Sequence, residues 1–334
     1  MRRKRIDMGQ VAELSTLASA FGRAALGKRD LPEVRHFAAD LEARLEGIAD
    51  ELRSGSYRFA PMRRFEIHDP KRRTIHAPVF QDRVVHHALM AHVGPVLDRS
   101  LVADTFACRV GKGTHAAVRR AQAHSRRFTW FLKLDVRDYF GSIRHRVLEG
   151  ELERKLKGPA VLDLCRRVIA CHEKQPGRGL PIGSLTSQHF ANFYLAGLDR
   201  LVLEGSRAGA IVRYMDDLVI WGHDRIRLVA CHAEVECFAL QRLGLELHEA
   251  QPQRSSGGLS LCGFRIRPHS LRLSPRRRKR YRRARQRWEQ AFRAGCIDAR
   301  CLQRGFEAAL ATVQWADSGA FRHADLVLRP AVEA

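Results

Sequence analysis

Three aspartates are the residues of this 334-residue chain whose type and placement could do chemistry. Asp216 and Asp217 are adjacent in Ile211-Val-Arg-Tyr-Met-Asp-Asp-Leu-Val-Ile-Trp221. Two carboxylates so close repel each other unless a divalent cation compensates. The third is Asp135, in Phe128-Thr-Trp-Phe-Leu-Lys-Leu-Asp-Val-Arg-Asp-Tyr-Phe-Gly-Ser-Ile143. An Asp-Asp pair alone also suits a solvated turn, where aspartate is common. Joined by a third carboxylate at a strand end, it offers the oxygen-rich cage that Mg²⁺ prefers. Two such ions about 3.5–4 Å apart can activate an attacking hydroxyl and stabilise a leaving oxygen in an in-line phosphoryl transfer.

The elements that must hold these aspartates can be read from the pattern around them. The runs Ile211-Val212 and Leu218-Val-Ile-Trp221 predict two strands joined by a tight hairpin, and a third strand should end near Asp135. Residues 144–157 read as an amphipathic helix and 160–172 as a second. A further helix should run on through Phe190, Phe193, Tyr194, Leu198 and Leu201. Upstream, residues 8–54 carry helical spacing, with Asp30 as a helix cap. Leu41, Leu45, Ile48 and Leu52 form an apolar stripe that Ser54-Gly-Ser-Tyr ends. Residues 65–78 predict two strands around an Asp69-Pro-Lys turn, followed by a helix from Gln81 to Val93. Another helix should follow the segment 106–115. Downstream, residues 225–243 are expected to be helical, 245–248 a short strand and 259–266 another strand.

The net charge of +23 makes a polyanionic partner the first expectation, and a hydrophobic share of 45% is ample for a core. The basic start, Met1-Arg-Arg-Lys-Arg-Ile-Asp7, is followed by no apolar segment and reads as a solvated arm rather than a secretory signal. No apolar run approaches the roughly 18 residues of a membrane span, so no membrane partner is expected. Eight cysteines without a CxxC pair read as reduced thiols of a cytoplasmic protein. Gly111-Lys-Gly-Thr114 looks like a phosphate loop but fails as one, because Phe106 stands where that motif's first glycine belongs. Residues 276–287 hold nine cations in twelve positions and no acid. A run like this is usually a solvated face. Here it opens a helical pattern containing Trp288, Phe292 and Phe306, so Arg276, Arg277, Arg278, Lys279, Arg280, Arg282 and Arg283 are candidates for phosphate contacts.

Leu134-Asp135 followed by Tyr214-Met-Asp-Asp217 resembles the palm of a reverse transcriptase, and the resemblance spans roughly residues 60–290. It implies an α+β right-hand polymerase fold: an N-terminal helical extension over 1–59, fingers and palm over 60–270, and a basic helical thumb with a tail over 271–334. It implies an RNA-directed DNA polymerase that uses two Mg²⁺ ions, for which Mn²⁺ can substitute, held by Asp135, Asp216 and Asp217. Template RNA, a primer, dNTPs and the RNA–DNA hybrid are the implied partners. Lys71, Arg73, Arg109 and Lys112 match the basic fingers that grip the triphosphate. Phe140 matches the aromatic residue under the sugar that excludes a 2′-hydroxyl.

One segment departs from the common pattern of Gln-Gly followed by Ser-Pro. This chain has Ile182-Gly183 followed by Ser187-Gln188, which resembles the reverse transcriptases of diversity-generating retroelements. In that group an aliphatic residue lies near the incoming nucleotide, copying is error-prone opposite template adenine, and a small basic accessory protein is encoded nearby. Gly183 and Gln188 join Ile182 as nucleotide-site candidates. Where the family often carries a lysine acid for pyrophosphate, this chain has Glu249-Ala-Gln-Pro-Gln-Arg254, which leaves that role unassigned. Two rival readings stand beside this one: a phage-defence or group II intron-related reverse transcriptase, and a non-catalytic RNA-binding scaffold.

Overall fold

The computed structural model describes residues 3–68, 72–205 and 208–332. The chain folds into two compact units that interleave along the sequence. The first takes Met1–Ala103, Asp135–Glu204 and Ala233–Glu249, and the second takes Asp104–Leu134, Gly205–His232 and Ala250–Ala334.

The first unit is mainly helical. In the helix Leu41–Ser54, the buried positions Leu45, Ile48, Ala49 and Leu52 fall on one face. Gly55 ends the helix at φ +74°, a conformation that costs glycine nothing. The helix Phe80–Asp98 is buried on nearly all sides and runs on through Pro95. The strands Arg63–His68 and Arg72–Ala77 pair as an antiparallel hairpin. The expected turn at 69–71, Lys71 included, lies outside the described residues.

The second unit is built on a four-stranded antiparallel sheet, in the order Ala210–Tyr214, Asp217–Gly222, Trp130–Leu134, Gln253–Arg254. Ile211, Leu132, Leu218 and Ile220 on one face and Phe131, Val212, Val219 and Trp221 on the other are all buried. That explains why these strands read as continuous apolar runs rather than alternating ones. The helix Thr114–Arg127 packs on the second of these faces through Ala117, Val118 and Ala121. A second sheet joins Leu259–Leu261, Phe264–Arg267 and Ser270–Leu273. The long helix Pro275–Arg293 follows, started by the Ser274 hydroxyl, which accepts from the Arg277 N–H, and by proline at its first turn. The helix Ala299–Ala311 packs on it closely. A Cβ on Gly305 would come 2.3 Å from the Trp288 ring, so only glycine fits there.

Several local expectations are corrected. Leu31, not Asp30, caps the helix Pro32–Ala39, because Pro32 fixes where the helix starts; Asp30 pairs with Arg35 instead. The basic arm is docked rather than free: Lys4–Arg5 pairs in parallel with Leu156–Lys157. That pairing also ends the 144–157 helix early, at His145–Glu153. The helix expected through Leu201 is two, Leu185–Tyr194 and Ala196–Glu204. Residues 225–243 are helical, the last turn, Ala239–Leu243, being a π-helix. Residues 245–248 make only a bridge, Val136 to Leu247, because the facing segment turns away at Asp138, φ +43°. The single strand expected over 259–266 is a hairpin, with Cys262 at φ +50° and Gly263 at φ +78° filling a two-residue turn.

Candidate active site

Asp216 and Asp217 sit at one end of the four-stranded sheet. Tyr214 pairs with Asp217, so Met215 and Asp216 form a two-residue turn and Asp217 is the first residue of its strand. Met215 takes φ +58°, the sign that primed hairpin turns require at their first central position. Arg213 compensates for that strain. Its side chain is fully buried, and Nη1 donates to the Met215 carbonyl at 3.0 Å. Its own backbone is pinned from the other side, since Arg213 N–H donates to Asp104 and Phe106 N–H donates to Arg213. Tyr214 is fixed as well, with its hydroxyl accepting from the Thr114 hydroxyl at 3.2 Å.

Lys133 is the residue beside the turn that sequence reasoning missed. It lies across from Val219 in the ladder, and its ammonium reaches diagonally to Asp217 Oδ1 at 2.6 Å. The signal was there: a lone cation in Trp-Phe-Leu-Lys-Leu, two residues before Asp135, on a strand that is otherwise apolar. The Cys262–Gly263 turn lies in the same electrostatic neighbourhood. Burial pushes the Cys262 thiol up to about 12, and the Asp217 charge adds to that effect. Arg277 holds this turn, donating to the Cys262 carbonyl at 3.2 Å while its guanidinium lies 4.1 Å from the Phe264 ring centroid.

Asp135 belongs to the first unit. It follows the last residue of the strand Trp130–Leu134, its carbonyl accepts from His248 N–H at 2.9 Å, and its side chain is exposed. Among the described residues no group of three or more His, Cys, Asp or Glu side chains is gathered to hold a metal ion. The donor chemistry still fits Mg²⁺. That ion takes hard oxygen ligands, and one or two carboxylates suffice when substrate phosphates and water supply the rest. The Asp217 carboxylate, at the mouth of its turn, is already matched to a cation.

The first unit carries most of the expected nucleotide-site residues. Ile182 is half-buried, and its carbonyl accepts from His76 N–H on the outer hairpin at 2.9 Å. Gly183 takes φ +122°, and a Cβ there would come 2.7 Å from Ile75 Cγ2. The next residue, Ser184, is buried, with its hydroxyl 3.0 Å from His86 Nδ1 and 2.8 Å from the Thr186 hydroxyl. Phe140 is half-buried in the short helix Tyr139–Ser142, edge-on to Tyr139, and its carbonyl accepts from Leu180 N–H. Arg73 is exposed on the hairpin strand and Gln188 on the first turn of the helix Leu185–Tyr194. Arg109 and Lys112 belong to the second unit; Arg109 donates to the Thr105 carbonyl, and Lys112 lies 5.0 Å from the Phe106 ring centroid.

The basic helix divides its cations. Arg276, Lys279, Arg280 and Arg283 are exposed. Arg277 is committed to Cys262, and Arg278 lies over the Phe321 ring. Arg282 pairs with the buried carboxylate of Asp325 at 2.6 Å. Arg254 lies over the Trp130 ring, 4.9 Å from its centroid.

The chain is 25% identical over 184 residues to protein YkfC of Escherichia coli, covering 51% of this chain and 48% of YkfC. It is 24% identical over 172 residues to the group II intron-encoded protein LtrA of Lactococcus lactis, covering 49% of this chain and 29% of LtrA. The chain thus spans less than half the length of these curated relatives. Among solved structures, apo telomerase from Candida tropicalis aligns with a TM-score of 0.52 at 10% identity, over 79% of this chain and 59% of that one. Telomerase from Candida albicans, in complex with a fragment of telomeric RNA, aligns at 0.50 and 11%, over 81% and 59%. These likenesses show the fold, an α+β right-hand polymerase fold. Residues 67–265, more than half of the chain, match the family of reverse transcriptases (RNA-dependent DNA polymerases), and the chain belongs to that family.

Proposed function

We propose that this protein is an RNA-directed DNA polymerase, copying template RNA from a primer into cDNA. The observation that carries the reading is the strained two-residue turn that presents Asp216 and Asp217 at the end of a buried sheet. Asp135, Asp216 and Asp217 would hold two Mg²⁺ ions, which supply activation of a hydroxyl and countercharge for a leaving oxygen. The primer 3′-hydroxyl loses its proton and its oxygen bonds to the α-phosphorus of a dNTP. The α–β P–O bond breaks and pyrophosphate leaves.

The chain's own residues do the positioning. Lys71, Arg73, Arg109 and Lys112 offset the triphosphate charge, Phe140 closes the space a 2′-hydroxyl would need, and Gly183 and Gln188 line the approach to the base. The exposed cations Lys279, Arg280 and Arg283 contact hybrid phosphates without reading sequence. Residues 60–270 then serve as fingers and palm and 271–334 as the thumb, after a helical extension over 1–59.

The narrower reading is an error-prone enzyme of a diversity-generating retroelement, working with a small basic accessory protein. Ile182 supports it: a branched alkyl side chain here removes a hydrogen-bonding amide that would constrain nucleotide and template. A second reading, an enzyme related to group II intron proteins, is favoured by the likeness to LtrA. Primer extension on RNA with Mg²⁺ and dNTPs, beside an Asp216→Ala/Asp217→Ala control, tests both. Errors concentrated opposite adenine support the first reading, and evenly spread errors the second. RNA binding without extension, even with the accessory protein and cognate RNA added, would leave a scaffold and overturn the polymerase.

A further inference from the structure

Away from the Asp-Asp turn, the second unit carries a polar groove of about 550 Å³ lined by Arg119, Gln122, Arg126, His269, Gln314 and Trp315. Its wall is the helix Thr114–Arg127, on which positions 119, 122 and 126 share one face. Trp315 is half-buried and stacks on the His115 imidazole, with 4.0 Å between centroids and 9° between planes. The exposed Arg119 guanidinium lies 4.0 Å from an indole ring centroid. Arg119 is therefore oriented by a ring rather than by an acid, which leaves its charge available to an anion.

Arg126 is aimed in a similar way. Its Nε donates to the Pro268 carbonyl at 2.7 Å, and the terminal nitrogens of its fork remain as donors. Gln122 Nε2 donates to the Arg267 carbonyl at 3.3 Å. One acid, Asp317, also lines the groove; its Oδ2 accepts from Leu271 N–H at 2.6 Å, which fixes where that carboxylate sits.

The composition of the groove selects its ligand. Two arginines suit phosphates, but Gln122, Gln314 and His269 add both donors and acceptors. A site for duplex backbone alone would need only the cations. Amides and an imidazole beside them match the Watson–Crick and Hoogsteen edges of unpaired bases, which an A-form duplex keeps paired or in a major groove too narrow for side chains. Position points the same way. Thr114, at the start of the helix, touches Tyr214 beside the Asp-Asp turn. At about 1.5 Å per residue, Arg119 stands about 8 Å and Arg126 about 18 Å further along, so the groove runs along the helix away from that contact.

We propose that this groove binds single-stranded RNA outside the stretch being copied, and so anchors the template molecule at a second point. This takes from the preceding reading only that RNA is the partner.

The test is fluorescence anisotropy of the full chain with an unstructured RNA oligonucleotide, without primer or dNTPs. Arg119→Ala/Arg126→Ala should weaken binding about tenfold. It should also lower the slope of log K against log salt by about 1.4, since each phosphate neutralised on a single strand adds about 0.7 to that slope. Gln314→Glu removes no ion pair and adds a repelling charge; it should weaken binding about threefold and stands as the second arm if the double variant does not fold. DNA of the same sequence should lose less than RNA does. Extension of a blunt, short template–primer should be unchanged. Unchanged RNA affinity in Gln314→Glu overturns the site, and an equal loss for a short hybrid duplex or for DNA overturns the single-stranded RNA assignment. Failure of the polymerase reading would show separately, as wild-type protein that binds RNA through this groove but extends nothing.

Discussion

Lys133 and Asp217 meet across adjacent antiparallel strands, ammonium to carboxylate at 2.6 Å, each about a third exposed. The diagonal geometry follows from the register, in which Lys133 faces Val219, two residues beyond Asp217 on the same face of the sheet. The pair restrains the carboxylate, and its cation would compete with a divalent ion for the same oxygens. Lys133→Met should therefore lower the Mg²⁺ concentration that gives half-maximal extension. Exposed pairs of this kind are worth about 0.2–1 kcal/mol, so the shift should be about fivefold at most. A Mg²⁺ titration of primer extension measures it, and a rise in the Mg²⁺ requirement would show that Lys133 helps the metal instead.

Asp216→Ala/Asp217→Ala should abolish extension, with a loss of at least about a thousandfold expected when charge stabilisation at the reacting phosphoryl is removed. RNA affinity and the unfolding midpoint should stay close to wild type, because both side chains sit at the partly exposed mouth of the turn. A matching collapse of RNA binding would mean that the pair holds the fold rather than the chemistry.

Arg213 carries the opposite expectation. It is fully buried and bonds the Met215 carbonyl beneath the strained turn. Arg213→Met would leave the partly buried Met215 carbonyl without its donor, at a cost of about 1–3 kcal/mol. Urea unfolding should show that loss, and extension should fall along with it. Unchanged stability would mean that the turn keeps its shape without this grip.

The strand ends that carry the three aspartates were legible in the sequence because apolar runs, β-branched or aromatic, flank them and the sheet is buried on both faces. The helical region after Pro275 was legible through the aromatic spacing at Trp288, Phe292 and Phe306; its start, set by Ser274 and Pro275, emerged only in the structure. What stayed hidden depends on pairing across long stretches of chain. Lys133 is an ordinary lysine until the ladder sets it beside Asp217, and Arg213 looks like a solvated cation until the fold buries it. Asp325 lies in a tail that carried no signal, yet it is buried and paired with Arg285 at 3.2 Å and with Arg282 at 2.6 Å. The basic run 276–287 shows the same limit. Helical periodicity could say that some of its cations face inward, but only Cys262, Phe321 and Asp325 say which.

Gly183 tests how the nucleotide segment is set. Its φ of +122° is open essentially to glycine alone, and an added Cβ would press on Ile75 of the outer hairpin. Gly183→Ala should cost about 1–3 kcal/mol in backbone strain. It should also raise the KM for dNTP more than it lowers kcat, because the segment is displaced while the aspartates are untouched. Single-nucleotide incorporation kinetics separate the two, and a pure kcat loss would place Gly183 elsewhere in the cycle. Ile182→Gln changes chemistry rather than backbone. If Ile182 relaxes selection, this substitution should cut misincorporation opposite adenine severalfold with little effect opposite other bases.

His86 makes the fold acid-sensitive. Burial holds its imidazole down to about 3, against an ordinary 6.5, with the charge of His87 adding to the effect. Its Nδ1 lies 3.0 Å from the Ser184 hydroxyl, next to Gly183. Between these two pKa values the unfolded chain binds a proton that the folded chain refuses. The stabilisation is complete above about pH 6.5 and is lost progressively as pH falls toward 3. By linkage this one group should cost about 2 kcal/mol at pH 5. His76, His87, His172 and His189 are shifted in the same direction, chiefly by burial, and deepen the trend. Urea midpoints should therefore fall steeply between pH 7 and pH 5. In His86→Gln, which cannot titrate, the fall should be shallower even though the variant starts from a lower stability at pH 7. Parallel slopes for wild type and variant would mean that His86 accepts a proton in the folded protein, and that the Ser184 hydroxyl turns to receive it.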